Sequence, residues 1–431
     1  MAEVLVVALS PVGHFAPLLN VARGLVDRGD RVTVLSGEGR VDEIETIGAT
    51  AAVLPKRADL DLASLGDNSG RGQLDGIKRL NFDIVRLFVA PMPHQAAELA
   101  KLLAQRRYDA IVADFGFTGV LPLLLGHPSA RPPVLLFSTT PLLLSSCDVA
   151  PAGMGLPPSS TALGRLRNRA LNLLAQRVLL RACQKAANYQ LHQLNCRQLP
   201  TFLFDAGVLA DRLIAPTVPD FDYPRSDLPA NVRYVGAVHP IPTREFRFPT
   251  WWSKLDSDRP VIHVTQGSVD NEDFDRLLRP TIEALADENV TVVATTGRQT
   301  RLGFDVPSNA CVAEHIPHDL LLPKVDVVVT NGGYGCVQRA LAAGVPLVVA
   351  GSTEDKPEVA ARVAWSGAGI DLKTGNPTAR AVRTAVREVL GDGRYQRRAR
   401  KLEVAYAQRC GIAEIAALID EVVAERAAVS P

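Results

Sequence analysis

Residues 326–357 read DVVVT NGGYG CVQRALAAG VPLVVA GSTEDKP. The first block is β-branched and apolar, as a strand buried on both faces must be. The glycine block breaks that pattern, and 337–343 has the spacing of a short helix. Gly344 stands where a helix C-terminus favours glycine. Residues 345–350 form a second buried strand, and 351–357 are the loop beyond its carboxyl end. This is a βαβ unit, and ligands of open parallel sheets sit at the carboxyl ends of the strands. Glycines let backbone N–H groups approach a ligand, and a helix N-terminus carries partial positive charge. On the residues alone, the turn is either an anion site for a phosphate or diphosphate, or a tight strand-to-helix connection with no ligand.

At 431 residues the chain exceeds what one hydrophobic core usually covers, so two domains are expected. A hydrophobic fraction of 47% and a charged fraction of 22% are those of an ordinary globular protein. A net charge of +1 gives no reason to expect nucleic acid or an anionic membrane as partner. The six cysteines lack C-x-x-C spacing, which argues for reduced thiols, a cytoplasmic setting and no zinc site. The opening residues VLVVAL run straight into PVGH, which predicts a first strand and not a signal peptide. No run of eighteen apolar residues is present, so no membrane span is expected.

Both halves alternate strands and helices. A strand over 3–9, a helix over 15–28, and strands over 31–36 and 50–55 open a doubly wound α/β domain. One long helix is expected over 77–104, and further helices over 163–199. His14 follows the first strand and opens a helix, where the positive helix end is expected to lower its pKa and keep the imidazole neutral. It is either a general base or a residue capping the turn. Asp114 ends the buried strand over 108–114 at the same sheet edge, where a carboxylate can orient such a base. Seven prolines between 215 and 249 mark a linker. The expected division is a first domain over 1–218, a linker over 219–242, a second domain over 243–409 and a terminal segment over 410–431.

The stretch TNGGYGCVQRALAAGVPLVVAGSTEDKPEVAARV resembles the sugar-nucleotide signature of the UDP-glycosyltransferase superfamily, the GT-B enzymes of family 1 that glycosylate small molecules. Its frame of residue-Gly-Gly, Ala-Leu, Gly-Val-Pro-Leu and an acidic residue before a polar one holds over about thirty residues. The resemblance implies two Rossmann-like domains facing each other across a cleft. The turn holding His14, with Pro17 nearby, is similar to the family's catalytic-histidine turn, and Asp114 stands where its orienting aspartate does. Gly267 and Ser268 match a diphosphate-binding turn. His315 and Ile316 fall where the nucleobase is stacked and read. Asn331, Gly332, Gly333, Gly335 and Cys336 would meet the diphosphate, Arg339 the ribose, and Asp355 and Lys356 the sugar. Four of these depart from the family: Asn331 replaces a histidine, Cys336 a small residue, Arg339 a glutamate, and Lys356 a glutamine. Arg339 cannot accept a hydrogen bond from ribose hydroxyls as glutamate does.

The resemblance also places the acceptor pocket in the first domain, where Phe115, Phe117, Leu142, Leu143 and Met154 suggest an apolar or aromatic acceptor. The implied reaction is metal-independent, inverting transfer from a UDP- or dTDP-sugar to an acceptor hydroxyl, without a cofactor, by a monomer or homodimer. A sugar-nucleotide epimerase and a non-catalytic nucleotide-binding auxiliary protein are the alternatives. The terminal helix is expected to cross back onto the first domain.

Overall fold

The computed structural model describes residues 1–59, 71–239, 245–267, 273–297 and 302–429. Two all-parallel sheets organise them. The first contains β1 (Glu3–Val7), β2 (Arg31–Gly37), β3 (Thr50–Leu54), β4 (Ala110–Asp114), β5 (Val134–Phe137), β6 (Arg212–Ala215) and β7 (Val232–Tyr234). Its order is β3-β2-β1-β4-β5-β6-β7. Around it lie α1 (Val12–Asp27), α2 (Val41–Thr46), α3 (Gly76–Ile84), α4 (Met92–Gln105), α5 (Leu121–Leu125), α6 (Ala162–Leu174) and α7 (Arg181–Gln193).

The second sheet contains β8 (Val261–Thr265), β9 (Thr291–Thr295), β10 (Ala310–Ala313), β11 (Val327–Thr330), β12 (Leu347–Val349) and β13 (Gly369–Asp371), in the order β10-β9-β8-β11-β12-β13. Its helices are α8 (Leu278–Leu285), α9 (His318–Leu321), α10 (Tyr334–Ala342), α11 (Lys356–Ser366), α12 (Ala379–Gly391) and α13 (Gly393–Ala407). A last helix, α14 (Gly411–Val429), follows.

The period of two along each strand divides the core into layers. Val4 and Val6 face a layer with Phe15 and Leu18 of α1, while Leu5 and Val7 face one with Met92 and Leu99 of α4. In the second domain Val328 and Val329 part in the same way. Both sheets reverse strand order at one place, between β1 and β4 and between β8 and β11. Crevices that admit ligands open at such switch points, beyond the strands' carboxyl ends.

Several boundaries differ from expectation. The helix expected over 77–104 is two, because Pro91 cannot continue the first and instead starts α4; a π-turn, Val85–Val89, lies between them. β7 falls inside the expected linker and pairs with β6, so the first sheet reaches Tyr234. Residues 240–242 of that linker lie outside the described residues. α14 crosses onto the first domain: Ile415 and Ile419 are fully buried in the layer behind α1, and Arg28 of the helix-to-strand turn donates to Asp420 and to the Ala416 carbonyl. The basic run at 394–401 is largely a solvated face, with Arg394 and Arg400 paired to Asp392 and Glu403. All six cysteines are free. No helix among the described residues is long and apolar enough to cross a membrane.

Candidate active site

His14 is the third residue of α1, which starts immediately after Pro11. β1 and β4 are in register with Val7 beside Ala113, so Asp114 ends its strand next to the turn that carries His14. The two meet across the switch point: His14 Nδ1 lies 2.7 Å from Asp114 Oδ2. Asp114 is fully buried, and its Oδ1 accepts the Gly116 N–H at 2.8 Å. Facing an acceptor-only carboxylate, Nδ1 carries the proton, which leaves the Nε2 lone pair free in the neutral ring. Thr139 Oγ1, 3.2 Å from Nδ1, and the Phe88 ring, with its centroid 5.9 Å away, complete the cradle. The His14 side chain stays 22% exposed.

The expected lowering of the His14 pKa is overturned. Burial acts in that direction, but the Asp114 charge and hydrogen bond, followed by the charges of Asp355 and Glu354, outweigh it and raise the pKa above 6.5. The helix end is a partial charge; the carboxylates are whole ones. The start of α11, just after the loop that follows β12, touches the first domain, where Gly153 and Gly155 donate to Glu358.

At the second switch point Asn331 follows β11. Its Nδ2 donates to the Gln266 carbonyl after β8, and its Oδ1 accepts from Gly333 N–H at 3.4 Å. The amide expected to meet phosphate is thus engaged in tying two turns together. Gly332 has φ +89°, and a Cβ there would stand 2.8 Å from Val349 Cγ1, so backbone and packing both demand glycine. Gly335, in the first turn of α10, is different. It is exposed, and a Cβ would meet nothing within 4 Å, so no contact within the protein requires its smallness. Gly267 has φ +74° at the turn after β8, and Ser268 lies outside the described residues. Gln266, Asn331, Ala350, Gly351 and Gly375 line a small cavity there.

The remaining donor-side candidates scatter. His315 is exposed in the loop after β10, whereas Ile316 is 1% exposed in the domain core, so only its backbone is available to a ligand. Burial raises the Cys336 thiol and lowers the Arg339 guanidinium. Asp355 caps α11; burial, then the neighbouring Glu354 charge, pushes its carboxyl up to about 6. Lys356, expected to reach the sugar, is 4% exposed and donates to Thr353 Oγ1 and Glu354 Oε2 at 2.9 and 2.6 Å.

On the acceptor side two expectations fail. Phe117 is fully buried and Leu142 is 4% exposed; both belong to the core under the sheet and cannot line a pocket. Phe115, Leu143 and Met154 are half-buried. Sequence reasoning missed Phe88 and Thr139, for which no motif speaks. It also missed Glu358: its Oε1 accepts the N–H groups of Gly153 and Gly155 at 2.7 and 3.0 Å, while Oε2 accepts from Arg362 at 2.8 Å. Arg362 in turn reaches Asp222, which Arg225 and Tyr234 also contact. Burial opposes ionisation of Asp222, but Arg225 and Arg362 hold its carboxyl below the usual range. This buried network joins α11 to the loop carrying Met154.

Two doubly wound sheets, with a histidine–aspartate pair at one switch point and a glycine turn at the other, form the two-domain arrangement that the sequence resemblance to GT-B glycosyltransferases implies. The chain is 42% identical over 429 residues to 4'-demethylrebeccamycin synthase of Lentzea aerocolonigenes, covering 98% of this chain and all of the relative. It is 36% identical to UDP-glycosyltransferase 2 of Phaeomoniella chlamydospora, over 98% of this chain and 96% of that one. Residues 279–422 match the family described as erythromycin biosynthesis protein CIII-like, C-terminal domain. Among solved structures, the glycotransferase of kitacinnamycin superposes with a TM-score of 0.72 at 21% identity, over 98% of this chain and 99% of that one. The calicheamicin glycosyltransferase CalG4 gives 0.70 at 19% identity over the whole of both chains. The chain therefore belongs to the UDP-glycosyltransferase superfamily of GT-B enzymes, and it is a glycosyltransferase.

Proposed function

We propose that this enzyme moves a sugar from a UDP- or dTDP-activated donor to a hydroxyl of a small apolar or aromatic acceptor, with inversion at the anomeric carbon. The observation that carries this reading is the 2.7 Å bond from His14 Nδ1 to the buried Asp114. With Nδ1 protonated and held, Nε2 takes the proton of an acceptor hydroxyl as its oxygen attacks the anomeric carbon. Asp114 stabilises the imidazolium that forms. The bond to the nucleoside diphosphate breaks on the opposite face, which is why configuration inverts. The leaving diphosphate meets the N-terminus of α10, where Gly333 and Gly335 admit close approach, so no metal is needed in this reading. Asp355, ionised at neutral pH, accepts from sugar hydroxyls. Phe88, Phe115, Leu143 and Met154 supply apolar surface for the acceptor. The likeness to UDP-glycosyltransferase 2 of Phaeomoniella chlamydospora supports a UDP-sugar as donor.

Replacing His14 with Ala tests the assignment. Transfer should fall by about 10²–10⁴, the usual range for general-base catalysis, while UDP still raises the melting temperature. Unchanged turnover would remove His14 as the base.

A further inference from the structure

α6 is built inside out. Its inward side is polar: Asn168 is fully buried and donates to the Cys147 carbonyl, and Asn172 donates to the carbonyls of Ser146 and Val149. Its outward side is apolar. Leu163 is 81% exposed, Leu166 64% and Leu173 56%, with Val178 of the π-turn that follows, Ala175–Leu179, at 62%. The spacing of Leu163, Leu166, Leu173 and Leu174 keeps them on one side of the helix. A water-soluble surface helix has the reverse arrangement.

Charge sharpens the contrast. Between Asp148 and Asp205 the sequence has no acidic residue but seven Arg or Lys. Arg165 is paired with Asp148. Arg169, Arg177, Arg181 and Lys185 are exposed and make no ion pair among the described residues. Nearby, α3 contacts the end of the π-turn through Asn81, which donates to the Leu179 carbonyl, and it exposes Ile77, Leu80, Lys78 and Arg79.

We propose that this face of α6, with the π-turn after it, docks onto an anionic lipid bilayer. Leucines that emerge between unpaired cations match a headgroup layer, where apolar side chains enter the acyl boundary and guanidinium groups meet phosphates. A second copy of the chain fits poorly. A twofold interface brings the same patch against itself, and Arg169, Arg177, Arg181 and Lys185, which make no ion pair among the described residues, would meet their own images. A nucleic acid would satisfy the cations and leave the leucines in water. Because Asn168 and Asn172 hold the loop after β5, docking brings the acceptor side of the enzyme to the lipid surface. The docking does not depend on the acceptor reading given above.

The test is sedimentation of the full chain with vesicles of phosphatidylcholine alone or mixed with phosphatidylglycerol, at low and high salt, alongside turnover of a water-soluble acceptor. Binding is expected to the anionic vesicles only, and to weaken with salt. The variants Leu163→Glu/Leu166→Glu and Arg169→Glu/Arg177→Glu should each bind at least about tenfold more weakly while turnover is unchanged. Failure of the wild type to sediment with anionic vesicles at low salt overturns the proposal. So does equal sedimentation of the variants, or a dimer that Leu163→Glu dissolves without any vesicle binding.

Discussion

His14 is held by opposing influences. Burial favours its neutral form, and three carboxylates favour the charged one and prevail. As a base it must be neutral, so activity should rise with pH through an ionisation above 6.5 instead of being level there. The Asp114→Asn variant tests the cause. It removes the largest influence that raises the pKa, so the rising limb of the kcat/KM profile should move to lower pH. Turnover should fall by about 10²–10⁴ because the amide also presents the wrong partner to Nδ1. A limb that stays in place would mean that Asp114 does not set the His14 ionisation. The same raised pKa also affects stability. A group with a folded-state pKa above its unfolded value stabilises the fold below the unfolded value, near 6.5, and loses that contribution as pH rises through the folded one. His14 thus stabilises the fold most where it is catalytically silent. At this scale the pair itself was legible, because each residue ends or follows a buried strand and strand ends share an edge. The sign of the pKa shift was not, since it depends on the 2.7 Å contact with Asp114 outweighing burial, a balance that no strand pattern states.

Among the elements, α11 ties the second sheet to a loop of the first domain. Asp355 stands at its N-terminus, and one turn on, Glu358 holds the loop between Val149 and Thr161 through two backbone N–H groups. Glu358→Ala should leave those N–H groups without their acceptor and Arg362 with one carboxylate fewer. A loss of about 3–5 kcal/mol in unfolding free energy is expected, the range for breaking a buried pair, together with a higher KM for acceptor. Denaturant unfolding and steady-state kinetics measure the two. An acceptor KM that does not change would confine Glu358 to stability. This linkage was invisible in the sequence, because Arg362 and Asp222 stand 140 residues apart and only the fold brings them together. Phe117 and Leu142 failed for a related reason: an apolar side chain next to a site reads the same whether it faces the cleft or the core. The central strands, by contrast, declared themselves as β-branched runs, while β7 and β10, short strands at sheet edges, did not.

At the scale of the whole molecule, the two domains are joined by α14 as well as by the linker. Ile415 and Ile419 are fully buried behind α1, Val422 is 2% exposed, and Arg212 on β6 binds Glu421 and Glu425, each at 2.6 Å. Ile419→Ala should cost about 2–5 kcal/mol, as a large-to-small change in a closed core does. The destabilisation should appear in the first domain, measured by hydrogen exchange in β1 and α1. Equal loss of protection in both sheets would mean that the domains unfold as one unit. The doubly wound class was readable from alternating strand and helix periods, yet the exit of the last helix toward the first domain rested on resemblance, because no local pattern says which surface a terminal helix will cover.

That crossing has a consequence for the order in which the protein is made. On the ribosome the residues of the first sheet emerge early, but one of its two apolar layers is closed by side chains near the far end of the chain. Until residues 411–429 leave the exit tunnel, the back of α1 stays uncovered, and the helix bearing His14 lacks its support. The first half is therefore the earliest synthesised and among the last to be finished, so the interval of exposure is set by translation of the second half, and slowing that translation should raise the demand for chaperones.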